Sequence, residues 1–371
     1  MENNELIKYE GGLVQRVERA IGITNKLLSL VEPQLIPYRK KDKWGYCTAD
    51  KKIVIECVYD QVNEFYQGLT IVAKDNKYGV INNKGKIIVP LKYDIAYDFV
   101  ENLSAVEKDG FFGFIDKHGK ETIPFIYDFA NKFSEGLAMV IVNGKYGFID
   151  KEGNIIVPIV YDIVHDFSEG LAHVKFNGKY GFVDKSGNAF IPCTYNYAHD
   201  FSEGLAAVQK DRKYGFMNKR GEIIIPFIYD RVNKFTEGLA SVVKEGKSGF
   251  IDKEGNTKIP FAFDDTKPKH FDQRFSEGMV AVAKKKKVGF IDVFGNEVIP
   301  LIYDGADPFS EGLASVVHDF SDNGYIDKNG NIQIPFIYQS TRSFSKGIAQ
   351  IFDWNDNTGY VNKDGVEFWE D

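Results

Sequence analysis

Sulfur is scarce in this chain of 371 residues, with three cysteines and four methionines. Cys47, Cys57 and Cys193 are odd in number and have no motif spacing, which excludes a secreted disulfide framework and fits reduced, buried or half-buried thiols. Long apolar runs are missing as well. None approaches the roughly 20 residues that cross a bilayer, so no membrane span is expected. The opening MENNELIKYEGG lacks the basic-then-apolar order of a signal peptide, and the expected location is the cytoplasm. Charge of one sign is also missing: 46 Lys and Arg mix with 53 Asp and Glu for a net charge of −7. Without a broad basic face, nucleic acid is not an expected partner.

Catalytic signatures are equally absent. The chain contains no Gly-x-Ser-x-Gly elbow, no phosphate loop ending in Gly-Lys-Ser/Thr and no His-Glu-x-x-His pair. His118, His165, His173, His199, His270 and His318 form no ligand-spaced cluster with Cys or Asp. His165 and His199 are 34 residues apart, which predicts that they stack on each other. Asp116, Asp150, Asp184, Asp252, Asp292 and Asp327 lie singly rather than converging in one loop, as calcium needs. No catalytic, cofactor-binding or metal-ligating residue is assigned, no cofactor is expected, and the expectation is that the protein is not an enzyme.

What is present is repetition. Gly45, Gly79, Gly113, Gly147, Gly181, Gly215, Gly249, Gly289, Gly324 and Gly359 each follow a lysine-rich turn, spaced by 34 residues six times and then by 40, 35 and 35. A period in this range marks a copied and stacked structural unit. Thirty Phe and twenty Tyr suit a β-rich interior. In the fifth unit, LAHVKF (171–176) alternates as a strand, Asn177-Gly178 is a hairpin turn and KYGFVD (179–184) returns. AFIPCTY (189–195) is a third strand, and Pro192 within it demands an edge or a bulge, because proline cannot donate to a ladder. The expected unit is therefore a three-stranded antiparallel meander, joined to the next by a connection such as NYAHDFSEG (196–204).

Other recurrent residues read as structural. The Phe-Ser-Glu-Gly-Leu-Ala segments supply a turn glycine with positive φ and a buried Phe. Their Glu135, Glu169, Glu203, Glu237, Glu277 and Glu311 are placed to cap backbone N–H groups or to pair with lysine. The Tyr-Asp pairs after each third strand, such as Tyr93-Asp94 and Tyr161-Asp162, predict a bonded phenol and an Asp holding its own turn. The run Lys284–Lys287 falls at a hairpin tip, and Asp265–Arg274 is an expansion expected as a longer loop.

Residues 11–32 differ from the rest. Val14, Val17, Ile21, Leu28 and Val31 recur at helical spacing opposite Arg16, Glu18, Arg19, Asn25 and Lys26, which predicts an amphipathic helix stopped by Pro33 and Pro37. The expected organisation is a leader and helix over 1–33 and a β-repeat array over 34–371. The apolar stripe suits either a cap on the first unit or a helix that docks a partner.

The segments Lys43-Trp44-Gly45-Tyr46, Lys77-Tyr78-Gly79-Val80, Lys145-Tyr146-Gly147-Phe148 and Lys213-Tyr214-Gly215-Phe216, each followed by a turn and Ile-x-x-Pro or a close relative, resemble the bacterial WG β-repeat family. The likeness covers about residues 38–368 and implies a binding or scaffolding array with no shared catalytic residues. The naming Trp stands only at Trp44; Ser248, Val288, Asn323 and Thr358 replace it in the later units.

Propellers usually have four to eight blades of four strands, and the array begins on a first strand and ends on a third. These points favour an all-β, open superhelical stack, a solenoid, over the alternative of a propeller-like closed ring. The expected function is a protein-interaction scaffold whose variable residues include Asn131, His165, His199, Asn233 and Gln273. The alternative is a carbohydrate or cell-envelope binder that uses exposed aromatics. The partner and the oligomeric state have no signature in the chain.

Overall fold

In the computed structural model, residues 34–265, 273–319, 321–355 and 357–371 are described. The unit forms as its residues dictate. Leu171–Phe176 and Lys179–Asp184 pair antiparallel across Asn177-Gly178, whose φ values of 50° and 80° are those of a tight hairpin turn. Ala189–Tyr195 adds to the second strand with a register shift between Tyr180 and Phe182. That shift explains the glycine ladder. A Cβ on Gly181 would lie 2.4 Å from the Ile191 carbonyl oxygen and 2.7 Å from the Cys193 nitrogen, so only glycine admits the bulged partner strand.

The three-stranded expectation is corrected by a fourth strand hidden in the connection. Ile163–Val164 pairs with Lys175 and Val174 on the free side of the first strand, and in one unit the equivalent strand is longer, Phe129–Ser134. The described residues form ten sheets, eight of them four-stranded and two three-stranded. In eight of the units the third strand runs almost directly into the short strand of the next sheet: Tyr93 ends one, Asp94 intervenes, and Ile95 begins the next.

The sheets are blades of a closed ring, which overturns the open superhelical stack and the solenoid. Trp369–Glu370 pairs in parallel with Arg39–Lys40, so the C-terminal strand completes the first sheet. The terminal segment begins on the last blade, where Glu367 bridges Val361 and Phe368 N–H donates to the Tyr360 carbonyl at 2.8 Å. Tyr38, Cys47, Ile348 and Phe368 share one apolar cluster across the seam, and Trp44 packs edge-on against Tyr360 at 6.0 Å. The last unit thus donates a strand to the first, so one blade is split between the two ends of the chain and ten copies close into a ring. Among the described residues there is no helix; the helix expected over 11–32 lies outside them.

The core lies between blades. Phe182 of the fifth blade meets Phe201 of the sixth at 4.9 Å and 59°, and Phe216–Phe235 and Phe290–Phe309 repeat the contact at 4.9 Å and 4.8 Å. These rings are at most 1% exposed; each contributes on the order of 2–3 kcal/mol by burial, with a further 0.5–1.5 kcal/mol from such ring pairing. The proline-bearing strands keep alternate residues open to solvent, as Ile155 and Val160 are, which makes them the perimeter.

Candidate functional site: the ring axis and its two faces

The Ser-Glu-Gly turns set the inner radius. Ser168 Oγ donates to the Phe201 carbonyl at 2.8 Å, Ser202 to Phe235 at 2.8 Å, Ser276 to Phe309 at 2.7 Å and Ser310 to Phe344 at 2.7 Å. Direct turn-to-turn contact between radiating sheets is possible only at their narrow edge, so the short strands and these turns face the axis. A single cleft there is lined by Ser202, Thr236, Ser276, Ser310 and Ser343, from five successive blades.

On the same face the turn glutamates, Glu237 excepted, do both things their sequence context allows. Glu135 accepts from Gly170 N–H of the next blade at 3.0 Å and from Lys185 Nζ at 2.7 Å; Glu169 does so with Gly204 at 3.1 Å and Lys219 at 3.0 Å. Partial burial alone would raise these carboxyls, but the lysine and backbone bonds outweigh it and hold Glu135 and Glu169 below the usual glutamate range. Glu237 keeps its Gly278 bond at 2.9 Å, while Val293 stands where a lysine would complete the pair.

The opposite face carries the hairpin tips and the Tyr-Asp pairs. Here the expectation that Asp holds its own turn is corrected. Asp162 accepts from Lys145 Nζ at 2.7 Å in one blade and from Gly178 N–H at 3.4 Å in the next, and Asp60 binds Lys43 at 2.6 Å and Asp75 N–H at 2.7 Å. The lysine bond is the main reason that Asp60 and Asp162 sit below the ordinary aspartate value. Asp150 and its equivalents do hold their own turns: Asp150 Oδ1 accepts from the N–H groups of Glu152 and Asn154 at 3.1 Å and 2.8 Å. Tyr93 also departs from expectation, because its hydroxyl is buried without a partner.

The residues that vary converge on the axis. Asn131, His165, His199, Asn233 and Gln273 occupy one equivalent position, two residues before the turn phenylalanine, and each is followed by the side chain of Lys132, Asp166, Asp200, Lys234 or Arg274. Some of them reach across blades: Asn131 Nδ2 donates to Asp166 at 3.2 Å, and Gln273 joins Ser241 and Ser248 at 3.0 Å and 3.1 Å in a buried polar group. His165 does not stack on His199. It stacks on His173, with centroids 3.9 Å apart, because His173 projects from the adjacent strand of the same blade while His199 turns toward Tyr197 and Tyr214. His173 is 3% exposed, its Nδ1 lies 2.9 Å from Asp200 Oδ1, and neither ring nitrogen has a well-formed hydrogen bond. Burial lowers the tendency of His165 and His199 to protonate. Burial would raise Asp200, but the contact with His173 outweighs it and holds that carboxyl low, while burial pushes Asp166 up.

The axial rows are therefore divided by charge. Asp166 and Asp200 mark one sector, and Lys234 and Arg274 the next. The sequence singled out His165 and His199 but not the His173, Asp166, Asp200, Lys234 and Arg274 that surround them, since the signal was only variation at one phase of the repeat. Among the described residues no three His, Cys, Asp or Glu side chains are grouped as a metal ion would require. The three thiols are free; burial pushes Cys47 up to about 12. Val14, Val17, Ile21, Leu28 and Val31 lie outside the described residues. No helix among the described residues is long and apolar enough to cross a membrane.

The WG containing repeat family matches the chain at residues 44–78, 78–110, 112–146, 146–180, 180–214, 214–247, 249–287, 289–319 and 324–353. The chain belongs to that family. No curated protein matches it significantly in sequence. Among solved structures it is similar to a eukaryotic initiation factor, at 11% identity with a TM-score of 0.51, covering 91% of this chain and 94% of that one. BamB from Moraxella catarrhalis is similar at 13% identity and a TM-score of 0.36, covering 83% and 94%. Kluyveromyces lactis Hsv2 follows at 12% identity and 0.30, covering 82% and 93%. At these identities the first likeness describes the fold alone.

Proposed function

We propose that this WG-repeat ring is a non-catalytic, cytoplasmic scaffold that holds a protein partner at its axis. The observation that carries the reading is a division of labour within the unit. The recurrent Ser, Glu and Asp are engaged in blade-to-blade bonds, whereas residues that change from copy to copy gather in the axial rows. A rigid frame with a variable, charge-divided mouth recognises a partner by complementarity. Residues 1–33 serve as a second docking element in this reading: the alternative role, a terminal cap, answers the open end of a stack, and a closed ring has none.

The test compares affinity capture by the full chain, by an axial variant carrying Asp166→Asn, Asp200→Asn and Lys234→Gln, and by residues 34–371. The axial variant should lose the partners that the full chain recovers, and the truncation should lose a separate subset. Unchanged recovery by the axial variant, with the ring folded, would remove the axis as the binding surface. The carbohydrate alternative is less favoured, because the recurrent aromatics are interior and the exposed ones, such as Phe294, Trp354 and Phe190, belong to different units.

A further inference from the structure

The serine ladder starts at the fourth blade, since Tyr66 and Val100 hold the same place in the second and third, and within it one described rung is broken. Between the seventh and eighth blades Thr236 replaces serine, and its Oγ1 is buried with no hydrogen-bond partner, although serine at the same place in the flanking blades donates to the next carbonyl. A buried hydroxyl left unpaired is unfavourable and calls for an acceptor. The rung lies on the wall of the axial cleft of about 350 Å³, and that wall also carries Lys234 and Arg274. No carboxylate lines this cleft among the described residues. The same two cations border a second, smaller cleft of about 210 Å³ with His199, Asp200 and Asn233, so the acidic sector lies on their far side.

We infer that Lys234, Arg274 and Thr236 form an oxyanion site for a phosphate group entering the axial mouth. A guanidinium supplies a planar fork of donors, an ammonium a point charge and the threonine a neutral donor, which together suit a tetrahedral dianion. The inference goes beyond the scaffold proposal and stands without it, since it concerns a small ligand whether or not a protein partner docks. The phosphate is free or belongs to a small phosphomonoester; both present the same terminal oxygens to these three donors.

The test is titration calorimetry of the full chain with inorganic phosphate and with phenyl phosphate, each against sodium chloride at equal ionic strength. Saturable heat with either ligand that chloride does not reproduce is the expected result, and the tighter of the two identifies the source. Lys234→Ala with Arg274→Ala should weaken binding by at least about tenfold, consistent with loss of charge-assisted bonds. Thr236→Val should weaken it by about fivefold or more, and Thr236→Ser, whose hydroxyl would turn to the next carbonyl as in the flanking blades, should weaken it as well. Circular dichroism confirms that each variant folds. Absence of saturable heat with both ligands overturns the site. So does undiminished binding in the double variant, or in a folded Thr236→Val protein.

Discussion

The arc from the third to the sixth blade and the seam between the tenth and the first solve the same packing problem differently. Along the arc, covalent continuity carries each third strand into the following blade, and one set of bonds recurs: serine to carbonyl, glutamate to glycine and lysine, aspartate to two hairpins. At the seam the chain is not continuous, and few of these bonds survive. Lys346 stands where the arc has glutamate. Its Nζ reaches Glu64 at 3.3 Å and the Phe65 carbonyl at 3.4 Å, two blades on, while Gln34 donates to its carbonyl at 2.8 Å. Arg39, 6% exposed, bonds the Thr358 carbonyl and Asp371, each at 2.8 Å, and Tyr38 donates to Glu370 at 2.9 Å. Two glutamate partners and a buried arginine replace a repeated ladder. Closure is therefore local and specific to its own residues, while the arc is generic.

That contrast can be broken most severely at its apolar centres. Phe182→Ala in the arc and Phe368→Ala at the seam each remove a fully buried ring, and each should cost about 3–5 kcal/mol in denaturant unfolding. Only the seam variant should also expand the molecule, read as a larger radius in small-angle scattering under native conditions. Equal radii would show that the ring stays shut without this contact. Gly181→Ala should cost about 1–3 kcal/mol, because its Cβ meets backbone, whereas Gly178→Ala has open space and only its positive φ to oppose it, at about 1–2 kcal/mol. Denaturant midpoints that rank Gly178 as the costlier site would contradict the bulge argument.

Smaller effects follow from charge. Lys346→Glu restores the arc's residue to the seam but sets it against Glu64, and a loss of no more than about 1 kcal/mol is expected for so exposed a pair. Lys346→Gln should lose less; the reverse order would sink the charge account. For the glutamate ladder the sign is set by its lowered carboxyls. A depressed acid stabilises the fold above its ordinary value of 4.5 and loses that contribution as pH falls through the folded value. Melting temperature should drop below pH 4.5, and the drop should be shallower in a Glu135→Gln, Glu169→Gln variant. The least effect concerns the histidines. Burial disfavours protonation of His165 and His199, so stability should already decline slightly as pH falls below 6.5, and His165→Gln with His199→Gln should flatten that slope.

How legible these regions were in the sequence follows the range of their interactions. Asn177-Gly178 announced its hairpin and Pro192 its edge because both are local signals. The turn glutamates had only two chemically sensible roles, and all but Glu237 fill both. The strand Ile163–Val164 escaped notice because two paired residues make no alternating pattern. The seam had no signal at all: Arg39 and Trp369 meet from opposite ends of the chain, and nothing in either segment names the other. The glycine at 181 was conspicuous, but its cause is a carbonyl 10 residues further along that only the folded sheet brings near. The charge division of the axis was hidden for a related reason, since equivalent residues become neighbours only once the ring is closed.

The direct passage of one blade's outermost strand into the next blade's innermost strand has a consequence for how such a gene could grow or shrink. A copied stretch beginning at a glycine and ending one period later contains parts of two blades and all of neither. Duplication or deletion of that stretch leaves every junction chemically intact and alters only circumference. The rungs at the axis fix how much arc each copy must span, so the count of copies is coupled to the fit of Arg39 against Asp371. A lineage that gained or lost a copy would preserve all the local chemistry and fail at one place, where the first and last strands of the ring have to find each other.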